Sequence, residues 1–166
     1  MMLGMSLSTF TLVHVVLSLV GICSGIVVVY GLLTGKRLDA WTALFLVTTA
    51  ATSLTGFGFP FDHLLPSHIV GIISLVALAV AVVARYALHL AGAGRWMYVV
   101  GAMLALYLNV FVLIVQSFEK VAALKDLAPT QSEPPFLAAQ LVILALFVFL
   151  SIFAVKKFRI QSAFIN

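Results

Sequence analysis

The stretch GFGFPFDHLLPSH, residues 56–68, is the sharpest break in an otherwise apolar chain. It places two histidines, one aspartate, two prolines and three phenylalanines between two long apolar runs. Proline lacks a backbone N–H and restricts the residue before it, so it interrupts a helix. The stretch therefore separates two helices, and its polar groups mark the first place to look for a chemical site.

Five runs without a charged residue make up most of the chain: residues 1–35, 40–61, 63 up to Arg85, 96–118 and 134–155. About 20 apolar residues are enough for a helix to cross a hydrocarbon core of about 30 Å. Only 8% of the 166 residues are charged, whereas a soluble domain carries about 25%. The sequence predicts an all-α integral membrane bundle, a single transmembrane domain over residues 1–166. Its five helices are expected over residues 9–33, 40–56, 67–90, 95–118 with an extension to 127, and 136–155.

The basic residues indicate how this bundle is oriented. Five spans place seven of them on one side and two, Lys120 and Lys125, on the other. Cytoplasmic loops carry the excess of Lys and Arg, so we expect a plasma or inner membrane protein with its N-terminus outside and its C-terminus in the cytoplasm. The basic residues form no patch, which argues against a nucleic-acid partner and leaves the lipid bilayer as the expected one.

Residues at the basic ends of the helices have conventional interpretations. Gly35 suits the C-cap of the first helix, and Asp39 suits the N-cap of the second. Arg85 is expected to snorkel toward the interface. Together with Tyr86, His89, Arg95, Trp96 and Tyr98 it resembles an anchoring belt.

Every predicted span carries polar residues in its outer half: His14, Thr52, Thr55, His68, Asn109, Gln116 and Gln140. Threonine hydroxyls can bond their own helix, and amides can simply join helices at about 0.6 kcal/mol each. Two inward-facing histidines and three amides at one depth are more polar groups than helix packing requires. The sequence therefore predicts a polar pocket, with His14, His68, Asn109, Gln116 and Gln140 as its binding residues. In this arrangement, stretch 56–68 forms a lid, His68 reaches inside opposite His14, and His63 lies on the rim.

One candidate occupant is haem b, held by His14 and His68 as axial ligands. Gly21 and Gly71 would make room for the macrocycle. On these four residues the pattern resembles small b-type cytochromes of membranes, whose helices carry inward histidines. The sequence departs from a two-haem pattern, because His89 has no partner histidine at the other end, so one haem is the most that it could hold.

A divalent metal such as zinc or copper is a second candidate. Asp62, His63 and His68, with His14 or Glu133, offer suitable nitrogen and oxygen ligands.

A third candidate is a small amphiphilic ligand such as a quinone, since such sites are mostly apolar with a few placed polar groups. Phe57, Phe59 and Phe61 fit that lining.

The alternative to a binding protein is a non-catalytic subunit of a membrane complex. Gly21-x3-Gly25 is expected to serve internal packing, whereas Gly31-x3-Gly35 could contact a partner subunit or a second copy. The sequence leaves open whether the chain is an enzyme. It contains no Gly-x-Ser-x-Gly, no phosphate-binding Walker loop and no His-Glu-x-x-His.

Overall fold

The computed structural model describes residues 6–59 and 66–161, with side chains described up to residue 158. These residues form helices and no strand. The α-helices are α1 (Leu7–Thr34), α2 (Asp39–Gly56), α3 (Pro66–Val82), α4 (Gly94–Lys120), α5 (Ala122–Leu127) and α6 (Pro134–Gln161). A π-helical turn, Val83–Ala87, continues α3. The all-α prediction is confirmed.

Four helical segments are long and apolar enough to cross a membrane: Leu7–Thr34, Pro66–Ala87, Gly94–Lys120 and Pro134–Phe158. They support a membrane protein. The fifth predicted span, α2, does not reach the same apolarity. It has 18 residues, begins with Asp39 and contains five threonines.

The first two helices are joined by a tight turn. Gly35 ends α1 in the left-handed conformation, with φ of 70°, as predicted for a glycine cap. The prediction that Asp39 caps α2 is wrong. Leu38 occupies the N-cap position without a side-chain hydrogen bond, while the Asp39 carboxylate pairs with Arg85.

α1 and α2 run antiparallel along each other. At one end a Cβ at Gly31 would lie 2.8 Å from Leu38 Cδ1, and at the other His14 bonds Thr55. Gly31 thus packs against residues of its own chain. Gly25 also packs internally, because its Cβ would lie 2.6 Å from Leu106 Cδ1.

α4 is the central helix of the bundle. Half of its most apolar window is buried, compared with 11% for α6. Small residues let α3 approach it closely, since a Cβ at Gly101 would lie 2.7 Å from the carbonyl oxygen of Ala77. The predicted extension of this helix is interrupted at Val121, whose backbone is extended, and α5 begins after it.

Arg85 does not snorkel. Only 6% of the residue is exposed, and its guanidinium lies 5.0 Å from the ring centroid of Tyr98. It turns inward because Asp39, at the start of the neighbouring helix, supplies a carboxylate. Tyr86 and Trp96 are each 51% exposed, as aromatic residues of an anchoring belt are.

Candidate functional site

A cavity of about 100 Å³ lies between α1, α2, α3 and α4, at the end of the bundle where α2 ends and α3 begins. We call it the polar cavity. Among the described residues, its polar lining consists of His14, Asn109 and six hydroxyl residues: Ser18, Thr49, Thr52, Ser53, Ser67 and Ser74. None of these residues other than His14 has an ionisable side chain. The cavity therefore suits uncharged polar groups.

A hydrogen bond to α2 holds the ring of His14. Its Nδ1 lies 2.8 Å from Thr55 Oγ1, and that oxygen lies 2.7 Å from the carbonyl oxygen of Ala51. When the single hydroxyl proton points to this carbonyl, Thr55 accepts from Nδ1–H, and Nε2 of the neutral imidazole is an acceptor. In the other tautomer Thr55 donates to Nδ1, and Nε2 is a donor. Phe59 packs its ring edge-on to His14, with the centroids 5.2 Å apart.

Asn109 ties α4 to α1 across the cavity. The Ser18 hydroxyl donates to Asn109 Oδ1 at 2.8 Å, and Asn109 Nδ2 donates to the Ser18 carbonyl at 3.4 Å. A similar contact joins α2 and α3, where the Ser53 hydroxyl donates to Ser74 Oγ at 3.2 Å. These side chains are already partly satisfied within the protein.

Thr49, in contrast, makes no hydrogen bond through its hydroxyl to any described residue. The residue is only 1% exposed. Neighbouring threonines differ, since Thr48 donates to the carbonyl of Leu44 and Thr52 to that of Thr48. An unpaired buried hydroxyl costs about 1–3 kcal/mol. Thr49 thus has a buried lining hydroxyl without a partner among the described residues, and less than 1 Å² of its oxygen is exposed.

Of the five predicted binding residues, the structure places His14 and Asn109 in the polar cavity. His68 does not line it, although Ser67 does. The His68 ring is buried and stacks on Phe57, with centroids 5.4 Å apart. Phe57 thus packs against His68, the histidine that was predicted to reach into the pocket.

The two predicted glutamines lie elsewhere. Gln116 donates to Glu119 on its own helix at 3.2 Å. Gln140 donates to the Phe111 carbonyl at 3.3 Å and so joins α6 to α4.

The glycines expected to make room for haem face protein atoms. A Cβ at Gly21 would lie 3.0 Å from Thr49 Oγ1, and one at Gly71 would lie 3.3 Å from the Phe57 ring. Sites for small molecules usually measure about 300–1,000 Å³, several times the volume of the polar cavity. The described geometry therefore does not favour a haem between His14 and His68.

Two of the predicted metal ligands, Asp62 and His63, lie outside the described residues. Within residues 6–59 and 66–158, no three His, Cys, Asp or Glu side chains come together as a metal-binding group. The metal site stays a prediction. The same holds for an accessory role and for a homo-oligomer.

The sequence contained a signal for the hydroxyl lining. Ser67 and Ser74 are seven residues apart, which places them two turns apart on one face of α3. Thr49, Thr52 and Ser53 share a face of α2 by the same rule. The absence of a partner for Thr49, however, depends on tertiary packing and has no signature in the sequence.

Comparison of the chain with protein-family models, with curated proteins and with solved structures found no match. The chemistry of the site itself therefore has to support any functional interpretation.

Proposed function

We propose that this chain is an integral membrane protein that binds the head group of a small, hydroxyl-bearing amphiphile in the polar cavity. The observation that carries the proposal is the buried, unpartnered hydroxyl of Thr49. A ligand that bonds this oxygen would remove a penalty of about 1–3 kcal/mol. Because less than 1 Å² of this oxygen is exposed, that gain is available only to a molecule that enters between the helices and moves the side chains around Thr49 apart.

The chemistry of the lining selects the ligand. Thr49 can donate or accept, whereas His14 Nε2 accepts in the tautomer whose Nδ1–H donates to Thr55. A hydroxyl head group could bond both, since it donates to Nε2 and accepts from Thr49. A carbonyl, as in an oxidised quinone, could bond only Thr49. A hydroxylated ligand, such as the reduced form of a quinone, therefore fits better.

Size limits what the cavity can hold. The cavity volume of about 100 Å³ lies well below the roughly 300–1,000 Å³ of most small-molecule sites. It accommodates a head group and excludes a large ring system. The apolar remainder of the ligand would lie among the exposed aliphatic side chains that face lipid, such as Leu12 and Ile69.

A matched series of probes tests the proposal. The full chain is placed in phosphatidylcholine nanodiscs with 1-dodecanol, 2-dodecanone or dodecane, and its thermal unfolding is followed by circular dichroism. We expect dodecanol to stabilise the protein most, dodecanone less, and dodecane least. Thr49→Val should abolish the difference between dodecanol and dodecane. Thr48→Val, in which the lost hydroxyl bonds its own helix, should retain it.

Two results would oppose this function. Equal effects of the three probes on the unmodified protein would show that the head group is not recognised. Retention of the dodecanol effect in Thr49→Val would show that recognition does not involve this hydroxyl.

We further propose that α2 is a fifth span, with the N-terminus outside and the C-terminus in the cytoplasm. Its 18 residues measure about 27 Å at about 1.5 Å per residue, close to the thickness of the hydrocarbon core. It extends along α1 from Gly31 to His14. Three of its threonine hydroxyls bond carbonyls one turn earlier, which reduces the cost of placing them in lipid.

Cysteine labelling tests this topology. Lys36→Cys, Ala91→Cys and Thr130→Cys are made in a Cys23→Ala background and exposed in intact cells to a membrane-impermeant maleimide. If α2 crosses, residues 36 and 91 share the protected side and residue 130 is labelled. Labelling of only one of positions 36 and 91 would mean that α2 does not cross.

A further inference from the structure

A second pocket, of about 130 Å³, lies at the end of the bundle opposite the polar cavity. We call it the arginine pocket. Its lining comes from the turn before α2, from the first residue of α2, and from the π-helical turn and the residues after it: Arg37, Asp39, Arg85, Tyr86, His89 and Leu90.

Arg85 is the buried centre of this pocket. Its Nη2 pairs with the Asp39 carboxylate and donates to the carbonyl of Arg37 at 3.1 Å. Its Nη1 is buried and makes no hydrogen bond to any described residue. A guanidinium N–H is a charged donor, so leaving it unpaired costs more than leaving a neutral one. One arm of the guanidinium therefore lacks an acceptor among the described residues.

The remaining lining favours an anionic acceptor. Arg37 and His89 are exposed at the rim, and the positive end of α2 begins at Asp39. Leu38, at the N-cap, supplies no side-chain acceptor. Asp39 is the one acid among the described residues of the lining, and 81% of its side chain is exposed. Two arginines against one carboxylate leave the pocket positive.

The backbone keeps these groups in position. In the π-helical turn the Leu88 N–H bonds the Val83 carbonyl at 2.9 Å. The next two residues, His89 and Leu90, adopt left-handed φ values of 48° and 60°, which are uncommon for residues other than glycine. As a result Leu90 is buried at 5% exposure, while His89 stays at the rim.

We propose that the arginine pocket binds one phosphate-type oxyanion, either free or as the head group of an anionic lipid. Arg85 Nη1 is the buried donor, and Arg37 and His89 approach from the rim. Guanidinium groups suit phosphate because their planar N–H donors match its oxygens. Basic pockets between helices at the basic side of a membrane bind anionic head groups. Val83 and Leu88, which flank the pocket in sequence, are 49% and 42% exposed and could contact acyl chains.

The test uses the full chain in phosphatidylcholine nanodiscs. Dihexanoyl phosphatidic acid, inorganic phosphate and dihexanoyl phosphatidylcholine are titrated separately and binding is measured by calorimetry. We expect phosphatidic acid or phosphate to bind and phosphatidylcholine not to. Tighter binding of phosphatidic acid than of phosphate assigns the site to a lipid head group, and equal binding assigns it to a free anion.

Variants locate the site. Arg37→Gln should weaken binding about tenfold, as expected for the loss of a charge-assisted hydrogen bond. Arg95→Gln removes the same charge from the same end of the bundle, outside the pocket lining, and should leave affinity unchanged. Arg85→Lys keeps the charge for Asp39 but lacks the second nitrogen, so it should fold and bind weakly.

Three results would overturn the proposal. One is equal binding of phosphatidylcholine and phosphatidic acid, and another is equal losses in Arg37→Gln and Arg95→Gln, which would indicate non-specific surface charge. The third is no binding of either anion to the unmodified protein.

Discussion

Replacing Thr49 with valine should stabilise the ligand-free protein, although it removes a polar group from the polar cavity. The reason is that the Thr49 hydroxyl is buried and unpartnered, so the substitution breaks no hydrogen bond. Valine has nearly the shape of threonine and fills the same space. The penalty removed is that of an unsatisfied buried hydroxyl, about 1–3 kcal/mol.

The neighbouring threonine gives the opposite expectation. The Thr48 hydroxyl donates to the Leu44 carbonyl at 2.7 Å, so Thr48→Val loses a bond with a net contribution of about 0.5–1.5 kcal/mol. The Leu44 carbonyl also accepts a backbone hydrogen bond within the helix, so the loss in the free energy of unfolding should be closer to about 0.5 than to about 1.5 kcal/mol. Thr48 is 7% exposed and Thr49 1%, so the two sites are matched in burial and helix position. The variants should therefore differ in the sign of their effect.

The measurement is reversible unfolding of delipidated protein in mixed dodecyl maltoside and dodecyl sulfate micelles, followed by circular dichroism. Thr49→Val should raise the free energy of unfolding by about 1 kcal/mol, and Thr48→Val should lower it. If both variants lower it equally, the Thr49 hydroxyl already has a partner in the ligand-free state, such as bound water. The polar cavity would then offer a ligand no unsatisfied hydroxyl, which would refute the proposed role of Thr49 in binding.

Two further predictions concern the scaffold. Gly101→Ala should destabilise the bundle by up to about 2 kcal/mol, because overpacking costs about 1–3 kcal/mol and the better helix propensity of alanine returns about 1 kcal/mol. The Cβ would lie 2.7 Å from the backbone oxygen of Ala77, whereas at Gly56 it would lie 3.8 Å from its nearest neighbour. Gly56→Ala is thus the control in the same unfolding assay, and equal effects would contradict the close helix contact. Asp39→Asn should destabilise by about 1–3 kcal/mol, because Arg85 loses its charged acceptor. An unchanged free energy of unfolding would mean that the pair does not support the fold.

The helices were largely predictable because their signals are local. Long apolar runs indicated α1, α3, α4 and α6, and Gly35 indicated the end of α1. The break at Val121 was missed, because a helical pattern continues through the short α5. Arg85 was also misjudged. Its position near a helix end suggested snorkelling, while its partner Asp39 lies 46 residues away in the sequence.

The candidate site was predictable only in part. His14 and Asn109 were found because each shares a helix face with small or polar neighbours. Gln140 has the same residue type as a binding group but faces a carbonyl of α4. Helical periodicity gives the face of a residue, whereas the identity of its neighbour depends on how the helices are rotated against each other. Thr49 shows most clearly how little the sequence says about such neighbours. The adjacent Thr48 has the same side chain, but its hydroxyl bonds the Leu44 carbonyl, whereas the Thr49 hydroxyl has no partner among the described residues.

The π-helical turn at Val83–Ala87 also affects how this protein could tolerate changes in chain length. A π-turn holds one more residue than the corresponding α-turn, so it has the form of an insertion absorbed within a continuous helix. Deleting Val83 should let the segment close as an ordinary α-helix, with α3 before it unchanged. Because the turn already absorbs the extra residue, the residues after it should keep about their present orientation, whereas Arg85 lies inside the turn and would lose the local geometry that pairs it with Asp39. The extra residue is therefore dispensable for spanning the membrane and serves to place the arginine, so deleting one residue should give a regular helix and weaken the arginine pocket.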